Sequence, residues 1–139
     1  MSENKIIDGK IVSAEIRKKV KELGGELINS TGKTPGLAVV LVGDNPASRV
    51  YVKNKIEKTK EVGFNSIEHR LDEKVTEKEL INIVDKLNED SNVQGILVQL
   101  PLPNHINSDK ILDRIKPEKD VDGFHAQNVG KLWSGLTSL

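Results

Sequence analysis

The chain has 139 residues, of which 36% are hydrophobic and 30% charged, and its 21 Lys+Arg residues balance its 21 Asp+Glu residues. This length is enough for one ordinary core, and a balanced charge gives no general attraction to nucleic acid or to a membrane surface. The absence of cysteine excludes disulfides, thiolate zinc sites and cysteine nucleophiles, and it favours a cytoplasmic location. The first five residues are polar and lead into no long apolar stretch, so we expect neither a signal peptide nor a membrane span.

The first half of the chain predicts a helix, a strand and a second helix. The first helix is expected to start near Ser13, and Gly24-Gly25 should weaken its middle by roughly 1 kcal/mol per glycine relative to alanine. The apolar face of this helix comprises Ile16, Val20, Leu23 and Leu27. Residues 37–42 form a continuous apolar run, which is typical of a strand buried on both faces. Asn45 before Pro46 predicts the cap of a second helix, which ends at Gly63.

The second half repeats the alternation. Residues 66–71 predict a second strand nearer an edge of the sheet, and residues 93–98 predict a third. Residues 76–79 form a capping box that opens a third helix. The buried face of that helix comprises Leu80, Ile83, Val84 and Leu87. Asn107 or Ser108 caps a short fourth helix, and after Pro117 the periodicity fails, which places residues 120–124 in a loop.

This order of elements indicates an α/β fold: an open, mostly parallel sheet with helices on both faces, in three layers. Ligands of such sheets bind at the carboxyl ends of the strands. The turn after residue 42 and the segment beginning at Gln99 both lie at such ends, and the loop around Asp122 is able to reach the same edge. The fold therefore predicts where a site lies without saying what it binds.

The second helix carries the first candidate group. Ser48, Tyr51 and Lys55 are spaced i, i+3 and i+7, so they share a face of that helix. A lysine held there away from bulk water can give and take a proton near neutral pH. The alternative is that Lys55 is one of several solvated lysines, because the same helix also carries Lys53, Lys58 and Lys60.

Gln99 and Asp122 are weaker candidates on their own. Gln99 precedes two prolines that stiffen the loop, and a neutral amide there can orient a lysine without adding charge. Asp122 can accept two hydrogen bonds from an amino-pyrimidine edge. The alternatives are a strand end closed by prolines and a simple Asp-Gly turn.

Several other sites are not supported by the spacing. The Asp-x-Asp-Gly segment at residues 120–123 lacks the further ligands of an EF-hand and does not follow an apolar strand as it does in haloacid-dehalogenase-type phosphatases. Residues 42–46 lack the second and third glycines of a dinucleotide-binding loop. The three histidines show no metal-ligand spacing, so we expect no metal site.

Four segments taken together resemble the bifunctional methylenetetrahydrofolate dehydrogenase/cyclohydrolases. They are Val42-Gly-Asp-Asn-Pro-Ala-Ser48 with Tyr51 and Lys55, Gly95-Ile-Leu-Val-Gln-Leu-Pro-Leu-Pro103, Pro117-Glu-Lys-Asp-Val-Asp-Gly-Phe124, and Asn128-Val-Gly-Lys-Leu132. Each motif is moderately specific, and the four in order cover nearly the whole chain. The resemblance implies an enzyme of one-carbon metabolism, serving purine biosynthesis, that oxidises methylenetetrahydrofolate with NADP and hydrolyses the methenyl product to formyltetrahydrofolate.

The resemblance also implies roles for individual residues. Lys55 is the expected general acid/base, Tyr51 stacks on the pterin, and Gln99 hydrogen-bonds and tunes Lys55. Asp122 is expected to bind the amino-pyrimidine edge, and Ser48 to support the site. The loop with Leu100, Pro101 and Pro103 forms a wall against the aminobenzoate portion of the substrate.

Members of this family continue into a Rossmann-type domain that binds NADP or NAD. We therefore expect residues 1–139 to be the folate-binding catalytic domain of a truncated, normally homodimeric protein, with a tail from about residue 126 that leads toward the missing domain. A C-terminal helix that folds back in the family is also missing, so apolar surface on the first helix is expected to be exposed. The chain itself is expected to bind tetrahydrofolate derivatives and at most perform the cyclohydrolase step. The alternatives are a module that only binds folate and a flavodoxin-like regulatory domain.

Overall fold

The computed structural model describes residues 7 to 137, so the polar segment at residues 1–5 lies outside the described residues. Within this range strands and helices alternate along the chain. The elements are α1 Gly9–Thr31, β1 Gly36–Val42, α2 Pro46–Glu61, β2 Asn65–Leu71, α3 Glu77–Glu89, β3 Gly95–Val98, α4 Ser108–Arg114, a 3₁₀ helix Pro117–Lys119, and α5 Ala126–Trp133.

The three strands form one parallel sheet with the order β2-β1-β3. β1 is central, and all seven of its residues pair with β2. A further parallel bridge joins Ile96 of β3 to Asp120, which follows the 3₁₀ helix. The predicted open parallel sheet is confirmed, and β2 lies at an edge as expected.

Helices cover both faces of the sheet, as the predicted three-layer arrangement requires. On one face, α3 and α4 pack against alternate residues of β1, including Ala38 and Val40. On the other face, Val52 of α2 packs against Val39 and Leu41. Because both faces of β1 are buried, its sequence is apolar without alternation.

Local capping sets the starts of α2 and α3 as predicted. The side chain of Asn45 accepts a hydrogen bond from the Ser48 N–H at 3.1 Å, and Pro46 occupies the first turn. Thr76 and Glu79 form the expected capping box. These interactions satisfy backbone N–H groups that have no partner within the helix.

α1 begins earlier than the sequence analysis predicted. Asp8 is its N-cap and accepts from the Lys10 N–H at 2.8 Å, so the helix begins at Gly9. Ser13, which was the expected start, lies inside the first turns and donates its hydroxyl hydrogen to the Lys10 carbonyl. Aspartate caps helices as well as serine does, and the more N-terminal cap is the one used.

The end of the chain also departs from expectation, because residues after Pro117 include two helical segments. α5 is capped by His125, whose Nδ1 accepts from the Gln127 N–H at 3.1 Å. Three apolar residues of α5 are largely exposed among the described residues: Val129 at 50%, Leu132 at 73% and Trp133 at 92%. None of the helices between residues 7 and 137 is long and apolar enough to cross a membrane.

Candidate functional site

The carboxyl edge of the sheet brings α2 and the end of β3 together. α2 leaves β1 through a turn in which Gly43 adopts a positive φ of 77°. Gln99 follows β3, and its N–H donates to the Val40 carbonyl at 2.9 Å, so its backbone still belongs to the sheet ladder. The side chain of Gln99 is therefore presented from a rigid position next to α2, at the turn that carries Lys55.

Lys55 and Gln99 meet directly across this edge. The Lys55 Nζ donates to the Gln99 Oε1 at 3.0 Å. The Gln99 Nε2 donates to the Leu100 carbonyl at 2.7 Å, which fixes the amide with its oxygen toward the lysine. A fixed neutral acceptor aims the Lys55 amine without supplying a counter-charge.

Lys55 differs from the other lysines of α2. It is half-buried, whereas Lys53, Lys58 and Lys60 are exposed. The Lys58 Nζ lies 2.5 Å from a carboxylate oxygen of Glu61, as expected for a solvated ion pair. The structure therefore does not support the alternative that Lys55 is one more surface lysine.

Ser48 and Tyr51 lie on the same helix as Lys55, at the predicted spacing, but the three residues differ in exposure. Ser48 is 3% exposed and belongs to the core side of α2, next to the fully buried Val52. Tyr51 is 61% exposed, so its ring is open to solvent on one side of the cleft. The ring has free surface on which a flat heterocycle can stack.

Asp122 reaches the same edge through the segment after the 3₁₀ helix. Asp120 bridges to Ile96 in a parallel sense, and its carbonyl accepts from the Gly123 N–H at 3.1 Å, so Asp122 lies in the turn that directly follows this bridge. Partial burial raises the pKa of the Asp122 carboxyl, the Lys55 ammonium lowers it, and the Asp120 carboxylate raises it; the net direction is upward. Because the charge of Lys55 lowers the pKa of Asp122, the charges of these two side chains interact.

The predicted wall of the cleft follows Gln99. Leu100 and Pro103 are half-buried, whereas Pro101 is exposed. The peptide bond between Leu100 and Pro101 is cis. The Pro103 carbonyl accepts from the Ile106 N–H at 3.0 Å, which ties the end of this segment to the core.

The sequence analysis assigned no role to two buried polar residues near Asp122 in the sequence. Asp120 and Asn128 are 2% and 3% exposed, and the Asn128 Nδ2 donates to the Asp120 Oδ2 at 3.0 Å. Their burial follows from the position of α5, which was not predicted. The spacing of Val129, Leu132 and Trp133 is typical of a helix and was the available signal.

The described residues do not fit a metal ion or a dinucleotide. Between residues 7 and 137 there is no group of three or more His, Asp or Glu side chains arranged to hold a metal. The turn after β1 contains one glycine, Gly43, whereas a dinucleotide pyrophosphate needs a glycine-rich turn at this position. The site therefore offers acid/base and hydrogen-bonding groups.

An apolar groove lies at the opposite, amino-terminal edge of the sheet. This groove has a volume of about 430 Å³, and its lining is almost entirely apolar. Its walls include Arg17, Val20, Pro35, Leu37, Phe64 and Val121. None of the residues predicted for the site lines it.

Comparison with protein families gives a match between residues 7–122 and the catalytic domain of tetrahydrofolate dehydrogenase/cyclohydrolase. Among curated relatives, Bifunctional protein FolD 2 of Roseobacter denitrificans is 54% identical over 134 residues, covering 96% of this chain and 45% of that protein. Bifunctional protein FolD of Wolinella succinogenes is 55% identical over 131 residues, covering 94% of this chain and 46% of that protein. The chain thus spans slightly less than half the length of these relatives.

Comparison with solved structures gives matches to enzymes with the same names. The bifunctional enzyme FolD, methylenetetrahydrofolate dehydrogenase/cyclohydrolase, from Campylobacter jejuni has a TM-score of 0.90 and 50% identity, covering 94% of this chain and 46% of that one. The Trypanosoma brucei methylenetetrahydrofolate dehydrogenase-cyclohydrolase, complexed with NADP cofactor and inhibitor, has a TM-score of 0.90 and 38% identity, covering 95% of this chain and 45% of that one.

Proposed function

This chain belongs to the tetrahydrofolate dehydrogenase/cyclohydrolase family, and we propose that it binds a reduced folate at the carboxyl edge of its sheet and adds water to the methenyl form of that folate. The observation that carries the proposal is the half-buried Lys55 amine held at 3.0 Å by the Gln99 amide oxygen. The names of the similar proteins suggest the substrate class, and the contact between Lys55 and Gln99 supports Lys55 as the proton carrier.

In this proposal the folate lies between α2 and the loop that follows β3. Its pterin stacks on the exposed ring of Tyr51, and its amino-pyrimidine edge donates hydrogen bonds to the carboxylate of Asp122. Leu100, Pro101 and Pro103 form the wall against the aminobenzoate group. Ser48 supports the first turn of α2 beneath the site.

Lys55 carries the proton in the hydrolysis step. The oxygen of a water molecule bonds to the methenyl carbon while the neutral amine of Lys55 accepts one of its protons. The bond between that carbon and N5 then breaks, N5 takes the proton from Lys55, and the second proton of the water passes to solvent. The products are formyltetrahydrofolate and one proton, so atoms and charge balance.

For the dehydrogenase activity named for the relatives, the described residues provide no dinucleotide site. Our proposal for the whole protein is that NADP is bound by the half of the family-length chain that this sequence does not span. No hydride step is assigned to the residues described above. The folate site and the proton carrier are the contribution of this half.

The proposal is tested by following the near-ultraviolet absorbance of methenyltetrahydrofolate with the purified chain. We expect wild type to accelerate its loss, and Lys55→Met to abolish that acceleration because no other described side chain replaces the amine. Lys53→Met is the matched control, since Lys53 lies on the same helix with an exposed side chain. Equal rates for wild type and Lys55→Met would refute the role of Lys55.

A second candidate function is folate binding without turnover. The 61% exposure of Tyr51 favours it, because a cleft open to solvent on one side positions its ligand less tightly. Saturable binding in calorimetry, together with an unchanged rate of absorbance loss, is the result that would select it. No binding at all would instead favour a regulatory domain.

A further inference from the structure

A buried polar pair lies directly behind the segment that carries Asp122. The Asn128 Nδ2 donates both to the Asp120 Oδ2 at 3.0 Å and to the Pro117 carbonyl at 2.8 Å. One amide group of α5 therefore holds two points of the chain that precede Asp122. Both members of the pair are almost completely buried, so water cannot substitute for either partner.

The same carboxylate also holds the chain that follows Asp122. The Asp120 Oδ2 accepts from the His125 N–H at 2.8 Å, and the Asp120 carbonyl accepts from the Gly123 N–H at 3.1 Å. Asp122 thus lies inside a short loop that Asp120 closes twice, once through its carboxylate and once through its carbonyl. The bridge between Asp120 and Ile96 ties this loop to β3.

A turn of this kind does not require a buried charge. An exposed Asp-Gly turn closes with its own backbone hydrogen bonds, whereas burying a carboxylate costs free energy that its hydrogen bonds only partly recover. The cost is understandable if the buried group fixes the orientation of a neighbour. Asp122 is the neighbour, because it lies inside the loop that the Asp120 carbonyl and carboxylate close through Gly123 and His125.

We infer that Asp120 and Asn128 are positioning residues, which fix the loop that carries Asp122 and so hold its carboxylate in the orientation that receives the folate. The inference rests on the proposed function for the identity of the ligand. For the fixed loop it rests on the hydrogen bonds that Asp120 and Asn128 make before and after Asp122. Neither residue touches the substrate in this account.

The test compares Asn128→Ala with Asn88→Ala in the full 139-residue chain. Asn88 is a matched control because its buried side chain also makes two hydrogen bonds, with the Arg114 carbonyl and the Lys116 N–H, but none to the Asp122 loop. We expect both variants to lose similar stability, while only Asn128→Ala binds methenyltetrahydrofolate roughly tenfold more weakly, as is common for residues that orient a ligand-binding group. Equal affinities in the two variants would overturn the inference.

A second measurement needs no folate. Carboxyl-carbon NMR of the free chain follows the titration of Asp122, and Asn128→Ala should shift its raised pKa back toward the ordinary aspartate value because the released loop is better solvated. Asn88→Ala should leave the titration unchanged. If wild type binds no folate but Asn128→Ala shifts this titration, the proposed function fails and the positioning role stands. If the titration does not move, the positioning role is wrong even if folate binds.

The milder variant Asn128→Ser covers the case in which Asn128→Ala does not fold. Its hydroxyl has a single donor hydrogen, so it keeps at most one of the two hydrogen bonds that the Asn128 amide donates. We expect several-fold weaker folate binding. Unchanged binding in a folded Asn128→Ser chain would count against the inference.

Discussion

Gln99 is in direct contact with Lys55, because its neutral amide oxygen is the acceptor for the Lys55 amine. Gln99→Glu replaces this neutral acceptor with a carboxylate and holds Lys55 in the ammonium form. We expect turnover of methenyltetrahydrofolate to fall at neutral pH and to recover as the pH is raised. Pre-steady-state or steady-state rates measured across pH provide the check.

Measuring the affinity for folate distinguishes a change in the protonation of Lys55 from damage to the binding site. Gln99→Glu retains the shape of the side chain and should bind folate with nearly the wild-type Kd. A large loss of affinity with no change in the pH dependence of turnover would mean that Gln99 contacts the substrate instead of tuning Lys55.

Asp122 should reduce the stability of the folded chain at neutral pH. Its pKa is raised in the folded state, mainly by burial, so the folded chain binds this proton more tightly than the unfolded chain does. Stability from this group is present below the ordinary aspartate pKa of about 3.9 and is lost as the pH rises through the higher folded value. Asp122→Asn should therefore raise the free energy of unfolding near pH 7 while it abolishes folate binding.

Urea unfolding at several pH values tests whether Asp122→Asn raises the free energy of unfolding at neutral pH. The stabilisation by Asp122→Asn should disappear below the ordinary aspartate pKa, where the wild-type carboxyl is protonated in both states. A variant that is less stable than wild type at neutral pH would show that hydrogen bonds to the carboxylate outweigh its burial.

At the scale of elements, α1 contains two adjacent glycines with opposite consequences. A Cβ on Gly24 would collide with the Phe64 ring, whereas a Cβ on Gly25 meets no heavy atom within 4 Å. Gly24→Ala should lower the free energy of unfolding by about 1–3 kcal/mol through overpacking, and Gly25→Ala should raise it by about 1 kcal/mol through helix propensity. Thermal or urea unfolding of the two variants compares them directly.

Each glycine variant is the control for the other, since both change the same helix by one methyl group. Equal effects in the two variants would mean that α1 does not pack on Phe64 in solution. The sequence analysis treated both glycines as a weakness of the helix, and the structure shows that Gly24 instead permits a close approach.

The elements that the sequence predicted well are those set by local interactions. The caps at Asn45 and Thr76 and the apolar run of β1 each depend on a few neighbouring residues, and all three are confirmed. α5 was missed because it is only eight residues long, so the helical spacing of its apolar residues repeats too few times to stand out in the sequence. The buried state of Asp120 and Asn128 depends on α5 and could not be predicted without it.

The candidate site also combines features that the sequence predicted with features that it did not. Strand-end topology and helical spacing predicted that Lys55 and Gln99 share an edge, and the structure places them in direct contact. Their functional roles, and those of Ser48, Tyr51 and Asp122, remain predictions from the family resemblance. No local pattern indicated that Gln99 orients its amide through the Leu100 carbonyl.

At the scale of the whole molecule, apolar surface is exposed on α1 and α5. Ile16, Leu23 and Leu27 of α1 are 58%, 53% and 47% exposed, as the family resemblance led us to expect. The predicted apolar face of α1 therefore exists but lies open among the described residues. We expect the isolated chain to self-associate at high concentration, and Leu23→Lys, which interrupts this face, to reduce that tendency in sedimentation experiments.

The apolar groove and the candidate site lie at opposite edges of one sheet. The groove at the amino edge is lined almost entirely by apolar atoms, whereas the carboxyl edge has the polar groups that the chemistry requires. Our account places the ligand at the carboxyl edge, and the two regions share none of the predicted site residues.

The most direct test is a map of amide NMR shifts as methenyltetrahydrofolate, or a stable reduced-folate analogue, is added to the chain. The account predicts saturable shifts centred on Tyr51, Lys55, Gln99 and Asp122. Shifts centred instead on the groove residues Val20 and Phe64 would contradict it.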